Sequence, residues 1–284
     1  MNEILLSSLI CLFIIGIIAL GIFINFYFEK KRKLFIFYIP GWIIYSLGYL
    51  TPIFSELTLD ITISQILLVI HGIFIEIGIF LIGIGAISYF TNVSLKFVMI
   101  LCVFYICLPL VLYLTFGVGM ALNFSFIAFS LSVVSALIAP ISKWGMFKRM
   151  IKKNMILYFI DIAVLIFYIP VMILIFLNGY NFGLFDSNDS FLIILNYLTV
   201  ITGTILTTFY FVQLEFSISN QEKFNLKDKF SHNMGNILQT IIFSIELLKT
   251  EEKLEDKERL ELIKTIEKKV DEVCKLLEEI REIK

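Results

Sequence analysis

The chain has 284 residues, of which 59% are hydrophobic and 17% charged, and its formal net charge is −1. A composition this apolar excludes a protein that is soluble and globular throughout, since such domains are usually nearer half apolar. The net charge averages over two unlike parts and so says nothing about partners; we expect no nucleic-acid partner. Residues 1–213 carry nearly all of the apolar excess, whereas residues 214–284 have the composition of a charged helical domain. We therefore expect two domains, 1–213 and 214–284.

Seven apolar runs are long enough to cross a membrane, since a bilayer core of ~30 Å needs about 20 residues of helix. They lie at roughly 4–28, 34–55, 62–90, 97–116, 119–141, 155–178 and 190–213. Only Gly117, Val118 and Gly119 separate the fourth run from the fifth. The first run lacks a basic leader and a small-residue cleavage site, so we interpret it as a membrane helix and not as a removable signal peptide.

The charges in the loops predict an orientation. Among the loops, basic residues occur only after the first, third and fifth runs. The loops after the second and sixth runs hold the acidic residues Glu56, Asp60, Asp186 and Asp189 and contain no Lys or Arg. The positive-inside rule then predicts a multi-pass protein of the cell membrane with its amino terminus outside and its tail in the cytoplasm. The basic residues lie on alternate loops: Lys30, Lys31, Arg32 and Lys33, then Lys96, then Lys143, Lys148, Arg149, Lys152 and Lys153.

Ionisable residues inside the runs are the first candidates for function, because such groups are costly in hydrocarbon. They are His71 and Glu76 in run three and Asp161 in run six. One interpretation is an intramembrane ligand-sensing or proton-sensing site built from these three residues. Another is that a neighbouring helix satisfies each of them, and that Asp161 meets Lys152 or Lys153.

Metal and cofactor chemistry has little support in the sequence. The cysteines form no CxxC pair and have no His nearby in sequence, so we interpret them as packing residues. Run seven contains no Lys, which excludes a retinal Schiff base there. We expect no metal and no cofactor bound by this chain. The four cysteines are Cys11, Cys102, Cys107 and Cys274.

The tail is predicted to begin as an extension of the last membrane helix. No Gly or Pro occurs between Gly203 and Gly235, a stretch of roughly 30 residues or ~46 Å of helix. Around His232 the sequence is amphipathic, and His232 falls opposite the apolar stripe, on the same side as Asn236 and Gln239. The imidazole is therefore expected to face water or a visiting protein. The stripe consists of Phe230, Met234, Ile237, Ile241, Ile245 and Leu248.

A second amphipathic helix is predicted after the polar residues 250–256. Its apolar residues step by three and four, which is the spacing of a heptad seam. Two such helices bury too little surface alone, so a homodimer through residues 226–284 is expected, making a four-helix bundle. The predicted fold class is all-α: a seven-helix transmembrane bundle followed by a cytoplasmic two-helix hairpin. The seam consists of Ile263, Ile266, Val270, Val273, Leu277 and Ile280.

The string FSHNMGNILQTI at 230–241, on the first helix of a hairpin that follows a membrane domain, resembles the dimerisation and phosphoacceptor domain of sensor histidine kinases. The resemblance covers roughly residues 222–284. It implies that His232 accepts a phosphoryl group and passes it to an Asp of a response-regulator receiver. It also implies that Asn236, one turn on, orients the water that removes phosphate from the receiver. Residues 1–213 then form the sensor domain.

The sequence departs from that family in two ways. Most members have Asp or Glu after the histidine, to orient the ring and help take its proton, whereas this chain has Asn233. Residues 214–284 also contain no Gly-rich phosphate loop and no acidic Mg²⁺ site. We therefore expect His232 to be served by a separate ATP-binding kinase domain, or the chain to regulate a partner kinase, and expect no autophosphorylation by the chain alone.

Other functions stay open at this point. A non-enzymatic membrane receptor or scaffold would use the tail only to bind partners. A small transporter is disfavoured because no internal repeat is evident. A truncated gene product is a further alternative. Because the loops are short, a stimulus is expected to arise within the membrane, from lipid, a hydrophobic molecule or the state of the membrane itself.

Overall fold

The structure is a computed structural model, and it describes residues 3–30, 32, 34–151, 155–178, 180, 184–185, 187, 189–250 and 255–282. Within these ranges, side chains are described except at 142, 146, 149–151, 221, 222, 225, 226, 229, 276 and 279–282. The described residues form helices and short connections, and no strand occurs among them. The all-α class expected from the sequence is therefore confirmed for this part of the chain.

Nine helices occur in the described part of the chain. Seven of them contain segments long and apolar enough to cross a membrane, namely α1–α5, α7 and residues Ser190–Asn220 of α8, which confirms the seven predicted runs. The helices are α1 Glu3–Lys30, α2 Phe35–Leu57, α3 Ile61–Ile87, α4 Leu95–Phe116, α5 Val118–Ser142, α6 Trp144–Ile151, α7 Met155–Leu177, α8 Ser190–Thr250 and α9 Asp256–Glu282.

Local chemistry explains three of the helix boundaries. Gly117 has a φ of 87°, which glycine adopts without strain, and it ends α4 before α5 begins. Asp60 accepts hydrogen bonds from the backbone N–H groups of Thr62 and Ile63 and so caps the start of α3. Asp189 caps α8 in the same way. Two of the acidic loop residues noted in the sequence therefore satisfy helix ends.

The short helix α6 was not expected from the sequence, which showed only a basic loop there. Phe147 anchors it: this side chain is fully buried, and its ring centroid lies 4.8 Å from that of Tyr158 on α7. Eight residues are too few for hydrophobic periodicity to identify a helix, which is why the loop gave no signal.

Residues Met1–Leu214 form one compact unit, in which α3 is the central helix. It packs against α2, α4 and α5, while α1 packs against α2. Close approach of α2 and α3 depends on Gly78, because a Cβ there would lie 2.6 Å from the backbone nitrogen of Tyr45. In contrast, most of the apolar side chains of α4 and α7 are exposed or half-buried, as is typical of helices that face lipid.

Residues Glu215–Lys284 form a second unit, described by itself. It contains the later part of α8 and all of α9. The helix α8 is continuous across residues 204–234, as the lack of Gly and Pro there predicted. Within this unit Ile237 and Ser244 are buried, whereas Ile245 is 38% exposed.

The buried face of α8 therefore includes Ser244, whereas the residue expected there from the sequence was Ile245. At 100° per residue Ser244 lies about 20° from Ile237 around the helix axis and Ile245 about 80° away, so geometry favours the smaller, polar residue. On α9, Ile266 and Val273 are half-buried, but Ile263, Val270 and Leu277 are exposed. Ile280 lies among the residues whose side chains are not described.

Candidate functional site

Asp161 on α7 lies in the interior of the first unit. Its side chain is 3% exposed. The hydroxyl of Thr207, on α8, donates to both carboxyl oxygens, at 3.0 and 3.1 Å. The alternative partners named from the sequence, Lys152 and Lys153, lie outside the described residues. Among the described residues, Asp161 is thus satisfied by a neighbouring helix.

A cavity of about 70 Å³ borders this pair, between helices α2, α3, α5, α7 and α8. Its walls are mostly aliphatic and aromatic. Besides Asp161 and Thr207, the lining residues whose side chains carry a polar atom are Trp42, Tyr45, Tyr168, Thr199 and Thr204. Trp42 is 1% exposed, and its Nε1 has no hydrogen-bond partner among the described residues. An unpaired buried donor of this kind is unusual and calls for a partner.

A directed chain of hydroxyl groups runs from the cavity wall along α2. Thr204 Oγ1 donates to the Val200 carbonyl at 2.8 Å, so it accepts from the Tyr45 hydroxyl at 2.9 Å. The Tyr45 oxygen in turn accepts from the hydroxyl of Tyr49 at 2.9 Å. The chain ties α2 to α8 and fixes the position of Tyr45 at the cavity.

His71 satisfies a backbone group that Pro52 leaves free. Pro52 has no N–H, so the Gly48 carbonyl one turn earlier in α2 has no helical donor. His71 Nδ1 lies 2.8 Å from that carbonyl oxygen, and the Thr51 hydroxyl also donates to it at 2.8 Å. Because a carbonyl only accepts, Nδ1 carries the ring proton. The position of His71 therefore has a structural explanation.

Glu76 faces a different side of α3. The side chain is fully buried, and neither carboxyl oxygen makes a hydrogen bond within the described part of the chain. Ser125 on α5 is the polar side chain that faces it, but its hydroxyl lies outside hydrogen-bonding geometry.

The three intramembrane residues singled out from the sequence are not gathered in one cavity. Asp161 lines the cavity described above, whereas His71 and Glu76 do not. His71 reaches the same region only indirectly, since its ring packs edge-on against Tyr49, whose hydroxyl begins the chain to Thr204. Tyr45, Thr204 and Thr207 were missed from sequence. The available signal was a pair of Thr residues one turn apart in an apolar run.

His232 lies in the second unit, on the exposed face of α8. Its Nδ1 is 3.3 Å from Nδ2 of Asn236, which is exposed one turn later. The half-buried Met234 and the buried Ile237 lie toward the other side of the helix. The imidazole is thus open to solvent within this unit, and Asn236 contacts one of its two nitrogens.

No group of three or more His, Cys, Asp or Glu residues among those described could hold a metal ion. The four cysteines are free thiols. The sequence matches no protein-family model, and comparisons with curated proteins and with solved structures found no significant match either. The seven long apolar helices define the class of protein: a multi-pass helical membrane protein.

Proposed function

We propose that this protein is the membrane sensor of a two-component phosphorelay, in which His232 accepts a phosphoryl group from a separate ATP-binding domain and passes it to a receiver. The observation that carries the proposal is the exposed imidazole of His232 with Asn236 one turn away, on a helix that is continuous with the last membrane-spanning run. The string around it, FSHNMGNILQ, supplies the resemblance to a phosphoacceptor helix.

The chemistry needs a neutral ring with one free nitrogen lone pair. With Asn236 Nδ2 donating to Nδ1, the ring proton resides on Nε2. A half-turn of the Asn236 amide brings Oδ1 to the same place, because the two amide atoms are nearly equal in size. Nδ1–H then donates to Oδ1, and Nε2 has its lone pair available for attack.

In the phosphoryl-transfer step, the Nε2 lone pair attacks the γ-phosphorus of ATP in line, and the bond from that phosphorus to the β,γ-bridging oxygen breaks. ADP leaves with the bonding electron pair, and the Nδ1 proton passes to solvent. Asn233 and Asn236 are both amides and cannot take this proton as bases, so solvent takes it, and Asn236 Oδ1 only orients the ring by accepting from Nδ1–H. When the receiver Asp carboxylate attacks the phosphorus, the bond from Nε2 to phosphorus breaks, and a proton taken up from solvent restores the neutral ring. Asn236 is then placed to orient the water that hydrolyses the receiver phosphate.

Dimerisation belongs to the same proposal. The apolar residues Ile263, Val270 and Leu277 are all exposed in the single chain, and they repeat every seven residues along α9. A row with that spacing is what one helix of a coiled coil presents to another. We infer that α8 and α9 form a hairpin that pairs with a second copy and binds the receiver, while the membrane-spanning helices contact membrane lipid.

We propose that the tail lies in the cytoplasm, and the basic residues on alternate loops support this orientation. Cys274, which is exposed on α9, is a natural reporter of sidedness. A membrane-impermeant maleimide is expected to label it in inside-out vesicles and not in right-side-out vesicles. Labelling only in right-side-out vesicles would reverse the proposed orientation.

The test of function is acid-labile phosphate on His232. Membranes from cells that express the tagged full chain are supplied with [γ-³²P]ATP, and the purified chain is assayed for phosphate that is stable in alkali and lost in acid. Label is expected in the native chain and in Asn233→Ala, and none in His232→Gln. Equal label in His232→Gln, or no label while other kinases of the same membranes autophosphorylate, would overturn the proposal.

A second function is supported by the same exposed row on α9. A receptor or scaffold would bind partners through Ile263, Val270 and Leu277 without any phosphate. In that case His232→Gln leaves signalling output unchanged, whereas Val270→Glu abolishes it. The phosphorelay requires both variants to lose output.

A further inference from the structure

The short helix α6 lies between the ends of two membrane-spanning segments. The span of α5 ends at Ile141 and that of α7 begins at Met155, so Trp144–Ile151 lies at one surface of the membrane. Phe147 points into the bundle, where its ring centroid lies 6.4 Å from that of Tyr210 on α8. This side chain therefore holds α6 against the ends of the membrane-spanning helices.

The outer side of α6 is exposed and basic. Trp144 is 38% exposed, and the exposed Lys148 follows four residues later, about 40° away around the helix axis. Lys143, directly before the helix, is also exposed. Neither lysine forms an ion pair within the described part of the chain. An indole and two unpaired ammonium groups are thus close together in the chain at the membrane surface.

The sequence around α6 supplies no negative charge for these lysines. From residue 77 to residue 160 the chain contains no Asp or Glu. A local excess of one sign of charge attracts ions of the other sign from outside the chain. The basic residues of the same segment are Lys96, Lys143, Lys148, Arg149, Lys152 and Lys153.

The apolar neighbours of this surface indicate what kind of anion it meets. On α7, Ile156 and Phe159 are 66% and 53% exposed, and the ring centroid of Trp144 lies 6.4 Å from that of Phe159. Exposed apolar side chains of a membrane-spanning helix face hydrocarbon, whereas Trp and Lys are typical of the membrane interface. We propose that Lys143, Trp144 and Lys148 form a docking site for an anionic phospholipid, with its phosphate at the ammonium groups and its acyl chains along α7.

Each part of this site recognises a different part of the lipid. The ammonium groups donate charge-assisted hydrogen bonds to phosphate oxygens. The Trp144 ring packs against the upper acyl chain, and its N–H points to the polar boundary, as is usual for Trp at an interface. Phosphatidylcholine has a cation beside its phosphate, which the lysines repel, so a headgroup with net negative charge is favoured. Each lysine is expected to contribute a preference of roughly fivefold.

Lipid binding is independent of the proposed phosphorelay, but its regulatory meaning rests on that function. Phe147 of α6 packs against Tyr210 of α8, and α8 is the helix that carries His232. A lipid held by α6 would therefore bias the position of α8 within the first unit. The experiment below measures binding without ATP or a kinase, so its failure and a failure of His232 phosphorylation are distinguishable.

Trp144 reports on the lipid beside it. The chain contains two Trp residues and Trp42 is buried, so the signal of Trp144 is the fluorescence that the native chain has beyond Trp144→Phe. The full chain is placed in phosphatidylcholine nanodiscs with an increasing fraction of lipid brominated on its acyl chains, since bromine quenches indole on contact. Brominated phosphatidylglycerol is expected to reach half-maximal quenching at a roughly twentyfold lower fraction than brominated phosphatidylcholine. Equal fractions for the two lipids would overturn the proposal.

Two variants and a matched control locate the site. Lys143→Gln and Lys148→Gln are each expected to raise the half-quenching fraction of brominated phosphatidylglycerol roughly fivefold, and the double variant to remove the preference. The control is Lys96→Gln, an exposed lysine in the first turn of α4, which should quench as the native chain does. A preference that persists in the double variant contradicts the site. An equal change in Lys96→Gln and Lys148→Gln would show a diffuse field of charge and also contradict it.

Two solution conditions test the chemistry of recognition. At about 1 M salt the Debye length is ~3 Å, so the preference for phosphatidylglycerol is expected to disappear. A preference that salt leaves unchanged would refute recognition through the lysines. Soluble glycerol phosphate supplies the same anion without acyl chains and is expected not to relieve the quenching. Relief by this compound would show a site for soluble phosphate and overturn the assignment to a lipid.

Discussion

Thr207 on α8 donates its hydroxyl to both carboxyl oxygens of Asp161 on α7, at 3.0 and 3.1 Å. Because Asp161 is almost fully buried, loss of that donor leaves a polar group unsatisfied. We expect Thr207→Val to lower the free energy of unfolding by about 1–3 kcal/mol. Thr207→Ser keeps the hydroxyl and is expected to stay near the native value. Denaturant unfolding in mixed micelles measures both variants. Equal free energies of unfolding for Thr207→Val and Thr207→Ser would contradict the role of the Thr207 hydroxyl.

A second prediction concerns His71 and the Gly48 carbonyl that Pro52 leaves without a helical donor. His71→Phe removes the hydrogen bond to this carbonyl and is expected to lower the free energy of unfolding by about 1 kcal/mol. This is the lower end of the range for an unsatisfied buried polar group, because Thr51 still donates to the carbonyl. Pro52→Ala restores a backbone N–H at the position that normally bonds this carbonyl.

The two substitutions are therefore expected to couple. In a double-mutant cycle, His71→Phe should cost less in the Pro52→Ala background than in the native chain. Unfolding free energies of the four variants, measured under one micelle composition, give the coupling. Additive effects would show that His71 contributes through something other than the Gly48 carbonyl, and would strengthen the case for a sensing role.

The contact of α2 with α3 yields a third prediction. A Cβ at Gly78 would lie 2.6 Å from the backbone nitrogen of Tyr45, and a backbone atom is displaced only at a large cost in free energy. Gly78→Ala should therefore destabilise the bundle by about 1–3 kcal/mol, in the range of overpacked cores. Gly21→Ala, which meets nothing, should be neutral or stabilising by up to about 1 kcal/mol through helix propensity. Equal thermal midpoints for the two variants would refute the close approach.

The membrane-spanning helices were predictable from sequence because each depends on a local property, a run of apolar residues as long as the bilayer is thick. The break at Gly117 was also local, since a glycine with positive φ ends one helix before the next begins. Continuity of α8 through residues 204–234 followed from the lack of Gly and Pro. These features need no knowledge of which helices are neighbours.

The interior of the candidate site was not predictable for the opposite reason. Asp161 and Thr207 are 46 residues apart, and nothing in either helix specifies that they meet. The same holds for His71 and the Gly48 carbonyl, although Pro52 marks that carbonyl as needing a donor. On α8, hydrophobicity favoured Ile245, but Ser244 lies closer to Ile237 around the helix axis and is the residue that is buried. Sequence identified which residues are costly in the membrane, and tertiary contacts decided how each is satisfied.

The exposed row on α9 yields the last prediction. Ile263, Val270 and Leu277 are 46%, 45% and 51% exposed, so the single chain leaves one heptad position uncovered over two repeats. If a second copy covers it, Val270 lies at the centre of the interface, and Val270→Glu places two charges there. We expect the dissociation constant of the dimer to rise at least about tenfold, since burying one valine is worth ~1.5 kcal/mol or more. Glu267→Gln, an exposed change on the same helix, is the control and should leave the dimer intact.

With Cys11, Cys102 and Cys107 replaced by Ala, oxidation of Cys274 is expected to cross-link the chain that carries no further change and the Glu267→Gln control. Cross-linking is expected to fail in Val270→Glu. Equal cross-linking in all three would show that this row faces something other than a second copy.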